Sequence, residues 1–439
     1  MRIGLFTDTY PPFINGVSTS VDMLKTALEK KGHEVYLVTV NDSTVKSNYD
    51  EKKHILRIPS IKSGIYDYRI SRIYPVSLIN MMRKWNLDVI HSHTEFGVGI
   101  FARIFAKQFD IPLVHTYHTM YEDYTHYITH GYFDKSSKKI VEYLTDFYCD
   151  KTATELIVPT TKTFKLFKEK YKYERNIHII PTGIEVDRFY EENVNMKDVN
   201  KIKKELGITK DDFVMLFVGR LAEEKNVEFL LNLEEKLLKK HNNIKLLIVG
   251  DGPDKETYEK IAKEKKIDNK VIFTGKVPWS DMPLYYHSTT IFITASTTET
   301  QGLTVIEAMA SGKVPFCIND QAFLSACTDE LNSIIFNNMD EAYDKVLEIY
   351  KDHKKLTQLN NQARIQSEHL SSGHYADSVI EVYEHAIKEK KKNRYGVLSV
   401  IARKIHKEDK EKWLYTNRQN LSFFSLSKQH LLVYNGNAW

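Results

Sequence analysis

Residues 213–226 read FVMLFVGRLAEEKN. Six apolar residues in a row, closed by a glycine, show no alternation and are too short for a helix, so they predict a strand buried on both faces of a sheet. Position gives the run its weight. Upstream, RIGLF (2–6), EVYLVTV (34–40), LDVIHSH (87–93), IPLVHTYH (111–118), ELIVPT (155–160) and IHIIPTG (177–183) already form one such series. Downstream, IKLLIVG (244–250), KVIFTG (270–275), TIFITAS (290–296) and KVPFCI (313–318) continue a second. Stretches with 3.6-residue periodicity separate them, among them 17–31, 97–108, 227–240 and 255–265. Buried strands alternating with helices specify a parallel, doubly wound α/β sheet, and the restart at 213 specifies two of them. The expected organisation is a Rossmann-like domain over 1–190, a second over 191–385, and a C-terminal extension over 386–439. The polar segment 187–212 reads as the joint. A cleft between two such sheets is the default ligand site, because ligands bind beyond the carboxyl ends of the strands.

Composition excludes several classes. With 439 residues, 42% hydrophobic, 12% aromatic and 27% charged, the chain has the make-up of a folded globular protein. Cys149, Cys317 and Cys327 are too few and too irregularly spaced for a disulfide framework or a zinc site, which fits a cytoplasmic protein. No run of 18 apolar residues offers a spanning helix. The net charge of +4 is unevenly placed: 388–412 holds ten Lys/Arg against four acids, a local +6 that leaves the rest at −2.

Three stretches carry chemistry. Gly219-Arg220-Leu221-Ala222-Glu223-Glu224-Lys225-Asn226 leaves the end of a buried strand, where Gly219 permits close backbone approach and Arg220 and Lys225 can clamp an anion, the first bidentately and the second as a point charge. The alternative is a charged surface turn. TTETQGLTVIEAMASG (297–312) places a loop before a helix entered at Gly302, so amides near Gln301, Gly302, Leu303 and Thr304 form a phosphate site. Glu299 precedes that helix start and Glu307 lies roughly 6 Å along the axis from it, at about 1.5 Å per residue. Paired carboxylates also serve glycoside hydrolases, but phosphate-binding amides between the two argue against that. Asn15-Gly16-Val17 opens the first helix and brings amides to the opposite wall. His91 and His93 have the H-x-H spacing of metal ligands without an evident third, which favours a structural or cleft-lining role. Tyr117, Tyr121, Tyr124, Tyr127 and Tyr132 either line an acceptor mouth or cover a helix face.

Together these residues resemble the retaining glycosyltransferases of family 4, of GT-B architecture. The family's E-x7-E pattern stands here as Glu299 and Glu307, its G-R-x-x-x-E-K as Gly219 to Lys225, its N-G-V loop as Asn15 to Val17, and its G-x-G-P as Gly250-Asp251-Gly252-Pro253. The opening MRIGLFTDTYPPFINGVSTS further resembles the diacylglycerol glucosyltransferase branch. The resemblance implies a nucleotide-sugar donor such as UDP-glucose, with Arg220 and Lys225 holding its diphosphate without a metal ion. It implies Glu299 on the donor sugar, Glu307 on the ribose, Gly250 and Val277 beside the base, and His118 against sugar or acceptor. It also implies a lipid acceptor such as 1,2-diacylglycerol. The rivals are a soluble or protein acceptor, or a noncatalytic nucleotide-sugar-binding or membrane-docking module.

An acceptor of that kind directs attention to 66–85, where Leu78, Met81, Met82 and Trp85 form a helical stripe flanked by Arg69, Arg72, Arg83 and Lys84. Such a helix suits an anionic bilayer, or else buries its stripe in its own sheet. Near the C-terminus Val397, Leu398, Ile401 and Ile405 repeat the pattern beside Arg403, Lys404 and Lys407. The regular stripe favours a lipid surface or a protein helix over nucleic acid. The expectation is peripheral association with the inner face of the cell membrane; 414–439 has no reading.

Overall fold

The run RIGLF forms β1 (Arg2–Phe6), buried at all but its first residue and paired in parallel on both edges, with Ile3 opposite Val35 and Val89. This computed structural model describes residues 1–13, 15–41, 47–62, 69–71, 75–118, 153–173 and 176–407, with the side chains of 70 and 393–407 left aside. Tyr121, Tyr124, Tyr127, Tyr132, Arg72, Cys149, 414–439 and the side chains of the second apolar stripe lie outside that description.

Around β1 the first sheet adds β2 (Glu34–Val40), β3 (Asn48–Asp50), β4 (Ile55–Ile58), β7 (Val89–Ser92), β8 (Leu113–Thr116), β9 (Glu155–Val158) and β10 (Ile177–Ile179), in the order β10-β9-β8-β7-β1-β2-β4-β3. Only β3 runs antiparallel within it. A separate hairpin joins β5 (Ser60–Lys62) to β6 (Arg69–Ser71). The second sheet holds β11 (Phe213–Val218), β12 (Ile244–Val249), β13 (Val271–Gly275), β14 (Ile291–Thr294), β15 (Pro315–Ile318) and β16 (Ile334–Phe336), in the order β13-β12-β11-β14-β15-β16. Numbered within itself, that is 3-2-1-4-5-6. Each sheet therefore reverses direction beside its first strand, at β1/β7 and at β11/β14, and opens a crevice there.

The chain divides into two compact units, Met1–Glu384, which contains both sheets, and His385–Trp439. Two features of the first unit differ from the sequence reading. Segment 187–212 is no bare joint: Phe189, Tyr190 and Ile208 are buried with Tyr286 and Phe292 in a core of the second sheet, and helix Met196–Glu205 packs on helix Met282–His287. Val199, Ile202 and Leu206 stand at helical spacing there, a signal that the surrounding charges mask. The chain also crosses back after the second sheet. Ile184 donates its N–H to Leu370 O (3.0 Å), and Ser372 N–H donates to Ile184 O (2.7 Å). A Cβ on Gly183 would lie 2.3 Å from Ser371 O, so the two crossings touch. Residues 372–384 then reach the first sheet, where Tyr383 meets His91.

The stripe of 76–85 buries itself. Helix Val76–Arg83 places Met82 and Trp85 in the core of the first sheet, with Leu78 and Met81 packed against it. Trp85 stacks on Tyr36 at 4.8 Å and Tyr49 at 5.7 Å. Arg69 is buried too, its guanidinium donating to Ser60 Oγ (2.7 Å), Asn41 O (3.1 Å) and Ser60 O (3.0 Å). The bilayer expectation for Trp85 and Arg69 is corrected accordingly, because the open face of β2 and β4 needs an apolar cover and this helix provides it. Arg83 and Lys84 remain exposed. Among the described residues no helix is long and apolar enough to cross a membrane.

Candidate active site

At the β11/β14 crevice the backbones come close before any side chain acts. Gly250 has φ +145°, and a Cβ there would stand 1.8 Å from Gly219 O; one on Gly252 would stand 2.2 Å from Leu221 O. Leu221 N–H to Asp251 O (3.0 Å) and Asp254 N–H to Leu221 O (3.0 Å) zip the loops after β11 and β12 together. The G-x-G-P turn is thus a steric requirement of the loop that carries Arg220.

Arg220 Nη2 donates to Glu224 Oε1 at 2.8 Å. The 3-10 turn Glu223–Lys225, ended by Asn226 at φ 52°, aims Lys225 across the crevice into a close ion pair with Glu299. Asn226 Nδ2 to Ala295 O (3.4 Å) and Ser296 Oγ to Glu224 O (3.4 Å) fasten the two loops. Burial alone pushes the Glu299 carboxyl up, but the Lys225 charge and hydrogen bond, joined by a Ser296 hydrogen bond and the Lys162 charge, hold the group below its ordinary value. Two cations and two carboxylates therefore balance where the strands diverge. Among the described residues no cluster of three or more His, Cys, Asp or Glu forms a metal-type group.

Helix Leu303–Ala310 begins at Gly302, whose φ of +79° and Cβ position 2.6 Å from the Phe323 ring restrict it to glycine. The first-turn amides at Leu303 and Thr304 have no acceptor within the helix. Glu307 lies buried behind them, Oε1 accepting from Trp279 Nε1 (3.2 Å) and Oε2 from Tyr286 OH (2.8 Å). Burial raises its carboxyl to about 7, and those two bonds temper the rise. Val277 is half-buried in the same cluster as Trp279.

The first sheet brings Gly16 and His118 to its own crevice. Gly16 opens helix Gly16–Lys30, N-capped by Asn15 Oδ1 accepting from Ser18 N–H (2.9 Å), and a Cβ on Gly16 would meet no protein atom within 4 Å. His118 Nε2 lies 3.0 Å from His93 Nδ1, and His118 O accepts from Thr300 Oγ1 at 2.9 Å. Burial lowers the His118 ring to about 4, against the pull of Glu95, so it is neutral at physiological pH. His91 bonds Tyr383 OH (2.7 Å) and Thr116 Oγ1 (2.6 Å). The H-x-H pair is therefore buried and braces the strand ends behind His118. Asp8 accepts from Thr94 Oγ1 (2.6 Å) and from the Val98 (2.9 Å) and Gly99 (3.4 Å) amides, with burial raising its carboxyl to about 6.

Structure thus pairs Lys225 with Glu299, holds Arg220 on Glu224, and ties the Glu299 loop to His118 through Thr300. It sets Arg69 and Trp85 apart, in the first core. Sequence reasoning quoted Glu224 within its motif but gave it no role, although its i,i+4 spacing from Arg220 was a signal; it missed Trp279 and Tyr286, whose link to Glu307 spans 28 and 21 residues.

Comparison with known proteins converges on this arrangement. The model for Glycosyltransferase Family 4 matches residues 14–188, and that for Glycosyl transferases group 1 matches 198–366. The alpha-monoglucosyldiacylglycerol synthase of Acholeplasma laidlawii is 35% identical over 87% of this chain and 96% of its own length. That of Streptococcus pneumoniae is 38% identical over 71% of this chain and 70% of its own. The Anabaena protein HepE, solved with UDP, shares the fold at 15% identity and a TM-score of 0.67, covering 88% of this chain and 100% of that one. Two Rossmann-like sheets of GT-B type, the motif residues gathered at their crevices and these likenesses along both halves lead to one conclusion: this chain belongs to glycosyltransferase family 4, among the relatives of the alpha-monoglucosyldiacylglycerol synthases.

Proposed function

We propose that this glycosyltransferase moves glucose from UDP-glucose to 1,2-diacylglycerol at the inner face of the cell membrane, with retention of the α configuration. The observation that carries the reading is the 35% identity running along 96% of the Acholeplasma synthase, and the placement of Arg220, Lys225 and the Leu303–Thr304 amides supports it. The bond between the sugar's C1 and the leaving phosphate breaks as the acceptor oxygen bonds C1 on the same face, and the acceptor proton passes to a phosphate oxygen. Arg220, Lys225 and the helix-start amides meet the charge that grows on the diphosphate, the role a divalent ion fills in other transferases. Glu299 accepts from the sugar hydroxyls, Glu307 from the ribose, and His118 contacts sugar or acceptor as a neutral ring. The +6 of 388–412, with Arg83 and Lys84, provides attraction to anionic lipid at about 1 kcal/mol per basic residue near the surface.

Incubation with a panel of labelled nucleotide sugars, with and without diacylglycerol vesicles, tests this. Label is expected in lipid only from UDP-glucose with vesicles present. Equal transfer to a soluble acceptor without vesicles would overturn the lipid assignment, and donor hydrolysis at the same rate would overturn transfer itself.

A pH effect follows from Glu307. With its carboxyl at about 7, the ionised acceptor form prevails above that pH and is lost below it. The KM for UDP-glucose is expected to rise as pH falls from about 8 to about 6. Glu307→Gln should flatten that dependence; a variant profile as steep as the parent's would remove Glu307 from the donor site.

A further inference from the structure

The loop that carries Glu299 is held largely from the other sheet. Lys162, on the short helix Thr161–Lys165 after β9, extends its ammonium to Thr297 O (3.1 Å), Glu299 O (3.5 Å) and both oxygens of Asp320 (2.9 and 3.0 Å). Neighbours repeat the grip. Thr160 Oγ1 donates to Thr300 O (3.0 Å), and Gln301 exchanges two bonds with the Thr182 backbone (2.8 and 2.9 Å). Backbone carbonyls withdrawn from water need donors, and in 297–301 those donors come from elements of the first sheet. An ammonium with three rotatable N–H groups can serve carbonyls and a carboxylate together. The Lys162 and Asp320 side chains are 21% and 15% exposed, so water screens the pair only partly. Asp320 also accepts from Ala322 N–H (2.8 Å), next to the Phe323 ring that fills the space beside Gly302.

We propose that Lys162 is a positioning residue: it ties the loops 297–301 and 320–323 of the second sheet to the first, so that Glu299 and Gly302 take their donor-facing placement only when the two sheets are together. This rests on the reading of Glu299 as the sugar contact. Lys162 itself does not touch the donor.

Hydrogen–deuterium exchange on the full chain with bound UDP, alongside steady-state transfer, tests it. Lys162→Met is expected to speed amide exchange within 297–301 by about tenfold or more and to lower kcat by about tenfold to a hundredfold. The Kd for UDP should stay within about twofold, since the nucleotide elements lie on the second sheet. Lys162→Arg, which keeps the donors, should restore most of the turnover. Unchanged exchange would overturn the proposal, and so would a UDP affinity falling in step with kcat. Should Lys162→Met fail to fold, Asp320→Asn removes the other end of the pair and is read on the same scales. Full activity in Glu299→Gln would refute the sugar-contact reading alone, because loop exchange reports the latch independently of catalysis.

Discussion

Lys225→Ala is expected to lower turnover with saturating UDP-glucose and vesicles by about a thousandfold, or about 4 kcal/mol of transition-state stabilisation. The Lys225 ammonium is paired with Glu299, so one cation serves both this carboxylate and the diphosphate. Its removal has two consequences. The leaving phosphate loses a positioned positive charge, and Glu299 keeps its burial without the charge that holds its carboxyl down. Pairing of this kind makes the two residues non-additive: Lys225→Ala combined with Glu299→Gln should cost less than the product of the single losses. The thermal midpoint, by contrast, should move little, since the pair is a loop contact outside both cores. Steady-state rates with a circular-dichroism melt of each variant check the prediction, and turnover within about threefold of the parent would remove Lys225 from the diphosphate site.

Trp85→Ala is expected to destabilise the fold by about 3 to 5 kcal/mol. The indole is 6% exposed, stacked between Tyr36 and Tyr49, and is the largest apolar group that helix Val76–Arg83 and its end deliver to β2 and β4. Its loss leaves a cavity that neighbouring aromatic rings cannot close without losing their stacking. Urea denaturation of the full chain, followed by the far-ultraviolet signal, measures the change. A midpoint equal to the parent's would return Trp85 to the surface and revive a bilayer role.

The two sheets were legible because short apolar runs without helical period, several of them closed by glycine, have few other uses, and the restart at Phe213 separated them. The donor half of the site was legible for a related reason: Gly219, Gly250 and Gly302 mark close approaches or a left-handed turn, and charged residues beside them stand at strand ends. Other features were not legible. Val186 and Phe189 enter the second core from a charge-rich stretch, so burial there depends on tertiary packing and leaves no period. The stripe of Leu78, Met81, Met82 and Trp85 was visible, but a helix's apolar face reads the same whether it meets a bilayer or a sheet. Lys162 lies 158 residues from Asp320, and nothing local distinguishes it from a solvated lysine.

The two crossings between the sheets have a mechanical consequence. At 183–184 and 370–372 the strands of covalent connection lie against each other and share two backbone hydrogen bonds, with Gly183 admitting the Ser371 carbonyl where a side chain would block it. Both tethers therefore turn about one place, so rotation of one sheet against the other is a swing about a single pivot, and sliding would break both bonds at once. A side chain at position 183 would stiffen or displace that pivot far from any group that touches substrate.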